Sequence, residues 1–385
     1  MRQSGIDVQR LAGGLGGLDS LKSSRYLPFA RRILFRRGPP VHLTLFVTGQ
    51  CNLRCRHCFH WREVAASVPG PALADLERLA DSVARMGPLL WISFGGGEPF
   101  LRPDLVELAR AFGRHGLRHL TIPTNGLVEE RQRAFVERTL AENPDLHLTV
   151  SVSFDGPPAI HDAIRQVPGG HARSMDAVRS LRAQAEREPR LSVGILVCVT
   201  RENQAVLADH MEELARELSP DNVTINLARG TALDPTLLDV DLDLYEEIVR
   251  RKKALVASGA LPYFRFPLAR IAAARDEAMY ERVAAVARGN AGHLPCTAGT
   301  LSAVVFEDGS VHSCEILGRS IGNLNDVDWD LARLWDDAAA RELRRDIRTT
   351  RCACTWECAQ ADNVLFRARS WPGLARRALS ARPAP

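Results

Sequence analysis

The sequence predicts an α/β protein, an open, partial (β/α)6 barrel followed by a small cysteine-rich domain. Two observations carry this. From residue 41 onward, short apolar runs alternate with helical stretches, the pattern of parallel strands inside and helices outside. The nine cysteines are also unevenly placed, with three between residues 51 and 58 and five between 296 and 358.

The apolar runs are 41–47, 89–94, 117–122, 146–152, 191–199 and 223–228. Helical spacing marks 71–85, 102–115, 129–141, 174–185 and 204–218. Six such units predict chemistry at the C-terminal ends of the strands. Residues 1–40 read as an N-terminal extension. Within them, 18–37 alternates apolar and Arg residues at helical spacing, which predicts a helix capping the main domain rather than lying on a membrane. The barrel is expected over 41–230, a helical connector over 231–290, the cysteine-rich domain over 291–365 and a solvated basic tail over 366–385.

The chain has 385 residues, enough for one large domain and a smaller one. Hydrophobic residues make up 45% and charged residues 25%, as in ordinary soluble proteins. The net charge of +4 (50 basic minus 46 acidic) is too mild to argue for nucleic-acid binding, and none is expected. No apolar run is long enough to span a bilayer, and MRQSGIDVQRLAGG lacks the apolar core of a secretory signal. The expectation is a cytoplasmic protein without membrane association, whose cysteines serve metal or redox chemistry rather than disulfides.

Cys51-Asn-Leu-Arg-Cys55-Arg-His-Cys58 follows the first predicted strand. Three thiols in so short a loop can each ligate one iron of a [4Fe–4S] cube, leaving the fourth iron open to an outside molecule. A zinc knuckle completed by His57 or His60 is the competing reading, but no second paired motif follows nearby. Gly95-Gly96-Gly97-Glu98-Pro99 ends the second strand. Its glycines let backbone approach a ligand, and a carboxylate there suits an ammonium group. Asn125 ends the third strand, and Ser153 and Asp155 end the fourth, shortly before Arg165. Asn125 and Asp155 equally suit ordinary turn chemistry. Cys198 lies among aliphatic residues of the fifth strand and reads as a buried apolar residue. Asn226 and Arg229 end the sixth.

The CxxxCxxC spacing, the aromatic Phe59 after it and the Gly96–Pro99 segment resemble the radical S-adenosylmethionine (radical SAM) superfamily. The resemblance implies a [4Fe–4S] cluster on Cys51, Cys55 and Cys58. It also implies an S-adenosyl-L-methionine site involving Phe59, Gly96, Gly97, Glu98, Pro99, Asn125, Ser153 and Arg165. Reductive cleavage of the cosubstrate to a 5′-deoxyadenosyl radical would follow, with hydrogen abstraction from a substrate.

In the second cysteine set, Cys296, Gly309 and Cys314 frame a predicted hairpin with an Asp308-Gly309 turn, followed by Cys352-Ala-Cys354-Thr-Trp-Glu-Cys358. This resembles the SPASM and twitch domains of part of the superfamily, with fewer cysteines than the full SPASM pattern. The expectation is one auxiliary [4Fe–4S] cluster on Cys296, Cys314, Cys358 and either Cys354 or Cys352, a zinc site on four cysteines being the alternative. An external low-potential reductant such as flavodoxin or ferredoxin is implied, and the substrate is a peptide or a small molecule. A non-catalytic electron carrier or zinc protein is the rival function, but it would have no use for a cosubstrate pocket. Arg229, Tyr263, Asp308 and Glu315 are chemically able to donate or accept a proton.

Overall fold

The structure is a computed structural model that describes residues 26–35, 38–263, 266 and 268–380. Most of the expected N-terminal extension therefore lies outside the described residues. Within it, helix α1 spans Leu27–Phe35 and buries Phe29 against Val41, Leu301 and Phe366.

Strands β1 (His42–Thr48), β2 (Trp91–Gly96), β3 (His119–Thr124), β4 (His147–Ser153), β5 (Leu191–Val199) and β6 (Asn222–Leu227) alternate with helices. Helix α2 spans Trp61–Ala66, α3 Leu73–Met86, α4 Leu105–Gly113, α5 Glu129–Glu142, α6 Pro158–Arg165, α7 Gly170–Ala185 and α8 Leu207–Leu218. Each strand pairs in parallel with the next in sequence, in the order β6-β5-β4-β3-β2-β1. A parallel sheet needs long crossovers, and the helices provide them.

The pleat sorts the side chains. Leu43, Leu45 and Val47 of β1 and Leu148, Val150 and Val152 of β4 are buried in one core with Leu76, Leu79 and Val83 of α3 and Phe112 of α4. The alternate positions face the lumen and are polar. In register across β1–β5 stand Thr44, Ser93, Thr121, Thr149 and Ser192. One row lower come His42, Trp91, His119 and His147.

Beyond the barrel, α9 (Leu242–Ser258) and α10 (Ala269–Ala287) pack across β6, where the Tyr280 hydroxyl accepts from the Ile225 amide at 3.0 Å. Strands β7 (Ser302–Val305) and β8 (Ser310–His312) form the expected hairpin, and Gly309 takes a φ of +83° in its turn, a conformation costly for other residues. The sequence did not reveal that β7 also pairs in parallel with β1. With β9 (Ser320–Asn323), the sheet has nine strands among the described residues, running through both parts of the chain. Helices α11 (Leu331–Trp335), α12 (Ala338–Thr349) and α13 (Glu357–Leu365) follow.

The tail departs from expectation. Residues 371–380 form helix α14 (Trp371–Ser380) instead of a solvated segment. Leu374 and Ala378 are buried with Ala274 of α10, and Arg377 pairs with Glu277 and Glu281. An apolar stripe hidden among Arg residues supplies the reason. Residues 381–385 lie outside the described residues. Among the described residues, no helix is long and apolar enough to cross a membrane.

Candidate active site

The loop after β1 carries Cys51, Cys55 and Cys58, all half-buried. It is held from two sides. The Arg56 amide donates to Ile164 O at 2.8 Å, while the Asp234 amide donates to Arg56 O at 2.8 Å. The Arg56 guanidinium bridges Glu202 at 2.5 Å and Asp234 at 2.8 Å, tying the loop to the ends of β5 and β6. Burial pushes the Cys55 thiol up to about 12 and the Cys58 thiol up to about 11. These thiols stay protonated until something electropositive takes the proton's place.

The β2 end packs directly on this loop. Gly96 has a φ of +111°, and a Cβ there would stand 2.2 Å from Thr48 O. A Cβ on Gly97 would stand 2.1 Å from Gln50 O, so both glycines are required by the approach of the two backbones. A Cβ on Gly95 would meet nothing, which leaves an open cradle at the strand end. Pro99 starts a short 3-10 turn beneath it.

Glu98 is tied into the protein itself. It is 1% exposed and accepts from the Thr124 hydroxyl and the Asn125 amide at 2.8 Å each, and from the Phe100 amide at 3.2 Å. It locks β2 to β3. Burial outweighs these bonds and pushes its carboxyl up to about 7. The Asn125 side chain donates to Asn52 Oδ1 at 2.7 Å and joins the same knot to the cysteine loop.

Arg165 is likewise engaged. Its Nε donates to Asp155 at 2.7 Å, with both side chains buried. Asp155 also accepts from the Cys198 amide at 3.2 Å through Oδ1, and its Oδ2 stands 3.9 Å from His57 Nδ1. That ring nitrogen is buried without a hydrogen-bond partner among the described residues. Ser153 is buried at the end of β4, and Phe59 is half-buried against Phe46, ring centroids 6.5 Å apart.

In the second cysteine set, Cys296, Cys314 and Cys354 pack in one apolar cluster with Phe46 and Trp356. Each of the six pairs among Cys296, Cys314, Cys352 and Cys354 interacts electrostatically. Cys358 occupies the first turn of α13, and the charges acting on it most are Glu315, Arg229, Asp362 and Glu357. Of the proton-transfer candidates, Arg229 and Glu315 sit at this end of the barrel. Tyr263 is buried on Asp276, and Asp308 accepts from Ser310 in the exposed hairpin turn.

Sequence reasoning missed Arg56 and Glu357, and singled out His57 only as a possible zinc ligand. All three lie inside or beside cysteine motifs, where attention to spacing hides the residues between the ligands. It also missed the His60–Glu307 pair, 2.9 Å apart, which joins the first cysteine loop to the hairpin.

The model of the "Radical SAM superfamily" matches residues 45–214. Residues 45–214 are a radical SAM domain. The chain is 31% identical over 214 residues to "PqqA peptide cyclase" of Rhodopseudomonas palustris, covering 53% of each protein. It thus spans about half the length of that relative. It is 28% identical over 299 residues to "AdoMet-dependent heme synthase" of Oleidesulfovibrio alaskensis, covering 73% of this chain and 71% of that one. The fold matches Streptococcus suis SuiB bound to its precursor peptide SuiA, with a TM-score of 0.58 at 15% identity over 84% of this chain and 71% of SuiB. The radical SAM family implies S-adenosylmethionine and a [4Fe–4S] cluster as its cofactors.

Proposed function

We propose that the chain is a radical SAM enzyme in which Cys51, Cys55 and Cys58 hold the catalytic [4Fe–4S] cluster, and Cys296 and Cys314, with cysteines of the segment 352–358, hold an auxiliary one. The observation that carries this is the meeting of the half-buried Cys51–Cys58 loop with the open cradle at Gly95, on glycines that tolerate no side chain. When bound and reduced, the cluster supplies the electron that cleaves S-adenosylmethionine to methionine and a 5′-deoxyadenosyl radical, which takes a hydrogen atom from the substrate.

The chain's own residues orient and shield that chemistry. Backbone at the β2 end, shaped by Gly96, Gly97 and Pro99, offers the cosubstrate polar groups while Glu98 fixes the loop from behind. Asn125, Ser153 and the Asp155–Arg165 pair line the neighbouring strand ends, and Phe59 closes the side toward the hairpin. Buried charge pairs at this end exclude water and keep the site rigid.

The substrate proposed first is a peptide, supported by the peptide named for one relative and the precursor peptide bound to the structural neighbour. A second reading, a polar small molecule, is favoured by the row of lumen hydroxyls from Thr44 to Ser192. The test is anaerobic reconstitution followed by dithionite and S-adenosylmethionine. Wild-type protein should release 5′-deoxyadenosine, and a Cys51→Ala, Cys55→Ala, Cys58→Ala variant should release none. Equal release by both would sink the proposal. Stimulation of turnover by candidate peptides or by small polyols then separates the two substrate readings.

A further inference from the structure

The second cysteine set backs onto a surface of anchored positive charge. Arg367 donates from Nε to Pro295 O at 3.0 Å and from Nη2 to Cys296 O at 3.2 Å. Arg369 Nη2 donates to His293 O at 2.6 Å. Arg282 of α10 donates from Nε to Gln360 Oε1 at 2.9 Å, and the Gln360 amide donates to Cys354 O at 2.6 Å. Arg351 directly precedes Cys352. Cys296, Cys354 and Cys352 thus each have a guanidinium held to their backbone: directly, through one side chain, or by the adjoining peptide bond.

These acceptors are neutral. A backbone carbonyl or an amide oxygen fixes a guanidinium in place without cancelling its charge. Arg282, Arg351 and Arg369 form no ion pair among the described residues. Arg351 and Arg369 are exposed, and Arg282 and Arg367 are half-buried beside them. The His293 ring lies among the four. Its basicity is lowered first by burial and then by Arg351, Arg369, Arg282 and Arg367. Elsewhere on α10 and α14 the pattern is the opposite. Arg288 pairs with Asp243 and Glu246, and Arg377 pairs with Glu277 and Glu281.

We propose that the face formed by Arg282, Arg351, Arg367 and Arg369 docks an acidic electron-carrier protein of the flavodoxin or ferredoxin class, whose electron enters the chain at the auxiliary site. This rests on the reading of the second cysteine set as an iron–sulfur site. One electron leaves the carrier, which is oxidised, and enters the auxiliary cluster, which is reduced; no bond forms or breaks. Two features select this occupant. Uncompensated, pre-positioned charge steers an acidic partner to the face and fixes its orientation. A partner seated there also lies against the backbone of the residues that would hold its electron acceptor. Electron-transfer encounters bury little area, so four anchored charges are a sufficient footprint. A nucleic acid or an anionic membrane would meet the same charge but would gain nothing from the thiols behind it.

The probes are a flavodoxin and a [2Fe–2S] ferredoxin, each added to the full, reconstituted chain. Calorimetry with the oxidised carriers should show binding that weakens as ionic strength rises. The double variant Arg351→Glu with Arg369→Glu should bind about tenfold more weakly, with a flatter salt dependence and an unchanged iron content. In stopped-flow absorbance, reduced flavodoxin should reduce this variant more slowly than wild type, while dithionite, which needs no docking face, reduces both alike. Should charge reversal disturb the iron content, Arg351→Gln with Arg369→Gln removes the charge alone and must still weaken binding. Unchanged binding in these variants would overturn the proposal, as would binding of neither carrier to wild type. Weaker binding with unchanged reduction by flavodoxin would place electron entry elsewhere and overturn it as well. So would a loss that follows Arg54→Gln in the first cysteine loop instead, or equal displacement of flavodoxin by duplex DNA or phosphatidylglycerol vesicles. Carrier binding by a wild type that makes no 5′-deoxyadenosine with dithionite would remove only the radical SAM reading. Formation of 5′-deoxyadenosine without charge-dependent binding would remove only the docking face.

Discussion

The two cysteine regions are held in opposite ways. The Cys51–Cys58 loop rests on a barrel whose strands bury apolar rows against the outer helices. The region from Cys296 to Cys354 has strands of three and four residues, and the apolar cluster around its thiols is small: Phe46, Ala298, Val304, Cys314, Trp356 and Ala359. Its other apolar side chains, among them Val305, Leu324, Leu334, Trp335 and Leu343, join the barrel's own core. The cluster at the thiols contributes little stability by itself, and Phe46 and the β1–β7 pairing come from the barrel. One region carries a reactive site on a stable frame, whereas the other is completed by what its thiols bind.

The largest expected effect breaks the comparison by removing each ligand set in turn. Replacing Cys51, Cys55 and Cys58 with Ala should abolish 5′-deoxyadenosine formation while leaving the thermal midpoint within a few degrees of wild type. Replacing Cys296, Cys314, Cys352 and Cys354 should lower the midpoint by more than about 10 °C, because a structural metal site contributes folding energy outright. Calorimetry on both anaerobic proteins decides this. Equal losses of stability would mean that the barrel also depends on its cluster.

The next effect sharpens the contrast without mutation. Chelation of iron should expose the amides of residues 296–358 to hydrogen exchange while those of β1–β5 remain protected. Mass spectrometry of exchanged peptides reads the two regions separately. Protection surviving in the C-terminal segment would show that pairing with β1 suffices to hold it.

The same difference explains what the sequence disclosed. Six strands were legible to within two residues because their apolar rows are continuous, with period and length agreeing. The cysteine motif was legible because a short loop leaves its thiols no other common task. Parallel pairing of β7 with β1 was not legible, since register between distant segments depends on packing that no local pattern records. Nor was the setting of Cys358, which lies at the start of α13 among the charges of Glu315, Arg229 and Glu357. Glu98 and Arg165 were found by motif, but their pairing with Thr124, Asn125 and Asp155 was not.

Glu98 gives a smaller effect, confined to the barrel. Its ordinary pKa of 4.5 rises to about 7 in the fold. Between those values the folded state binds a proton that the unfolded state has released, so stability present below pH 4.5 is lost as pH rises toward 7. The loss is at most on the order of 3 kcal/mol. Urea titration of iron-free protein from pH 4.5 to 7 should show this decline in wild type and a flatter profile in Glu98→Gln. Parallel profiles would assign the pH dependence to other groups.

Arg56 provides the smallest and most selective test. Its pairs with Glu202 and Asp234 are partly exposed, each side chain retaining more than a quarter of its surface, so solvent screens much of their attraction. Arg56→Ala should therefore cost only about 1 kcal/mol of global stability. Its consequence for the loop is larger in kind, because the same guanidinium ties the segment between Cys55 and Cys58 to the ends of β5 and β6. Freed from that tie, the loop gains conformations in which its three thiols no longer face one point. Binding of S-adenosylmethionine to the reconstituted protein should weaken by about tenfold, the equivalent of about 1.4 kcal/mol, while the thermal midpoint barely moves. Arg56→Lys keeps the charge but loses the planar fork that reaches both carboxylates, and should fall between the two. If affinity and midpoint dropped together, Arg56 would be part of the frame. If only affinity dropped, the loop's geometry would be a property that the frame alone does not guarantee, and the contrast between the two cysteine regions would need one qualification: the reactive loop, too, depends on a fastening of its own.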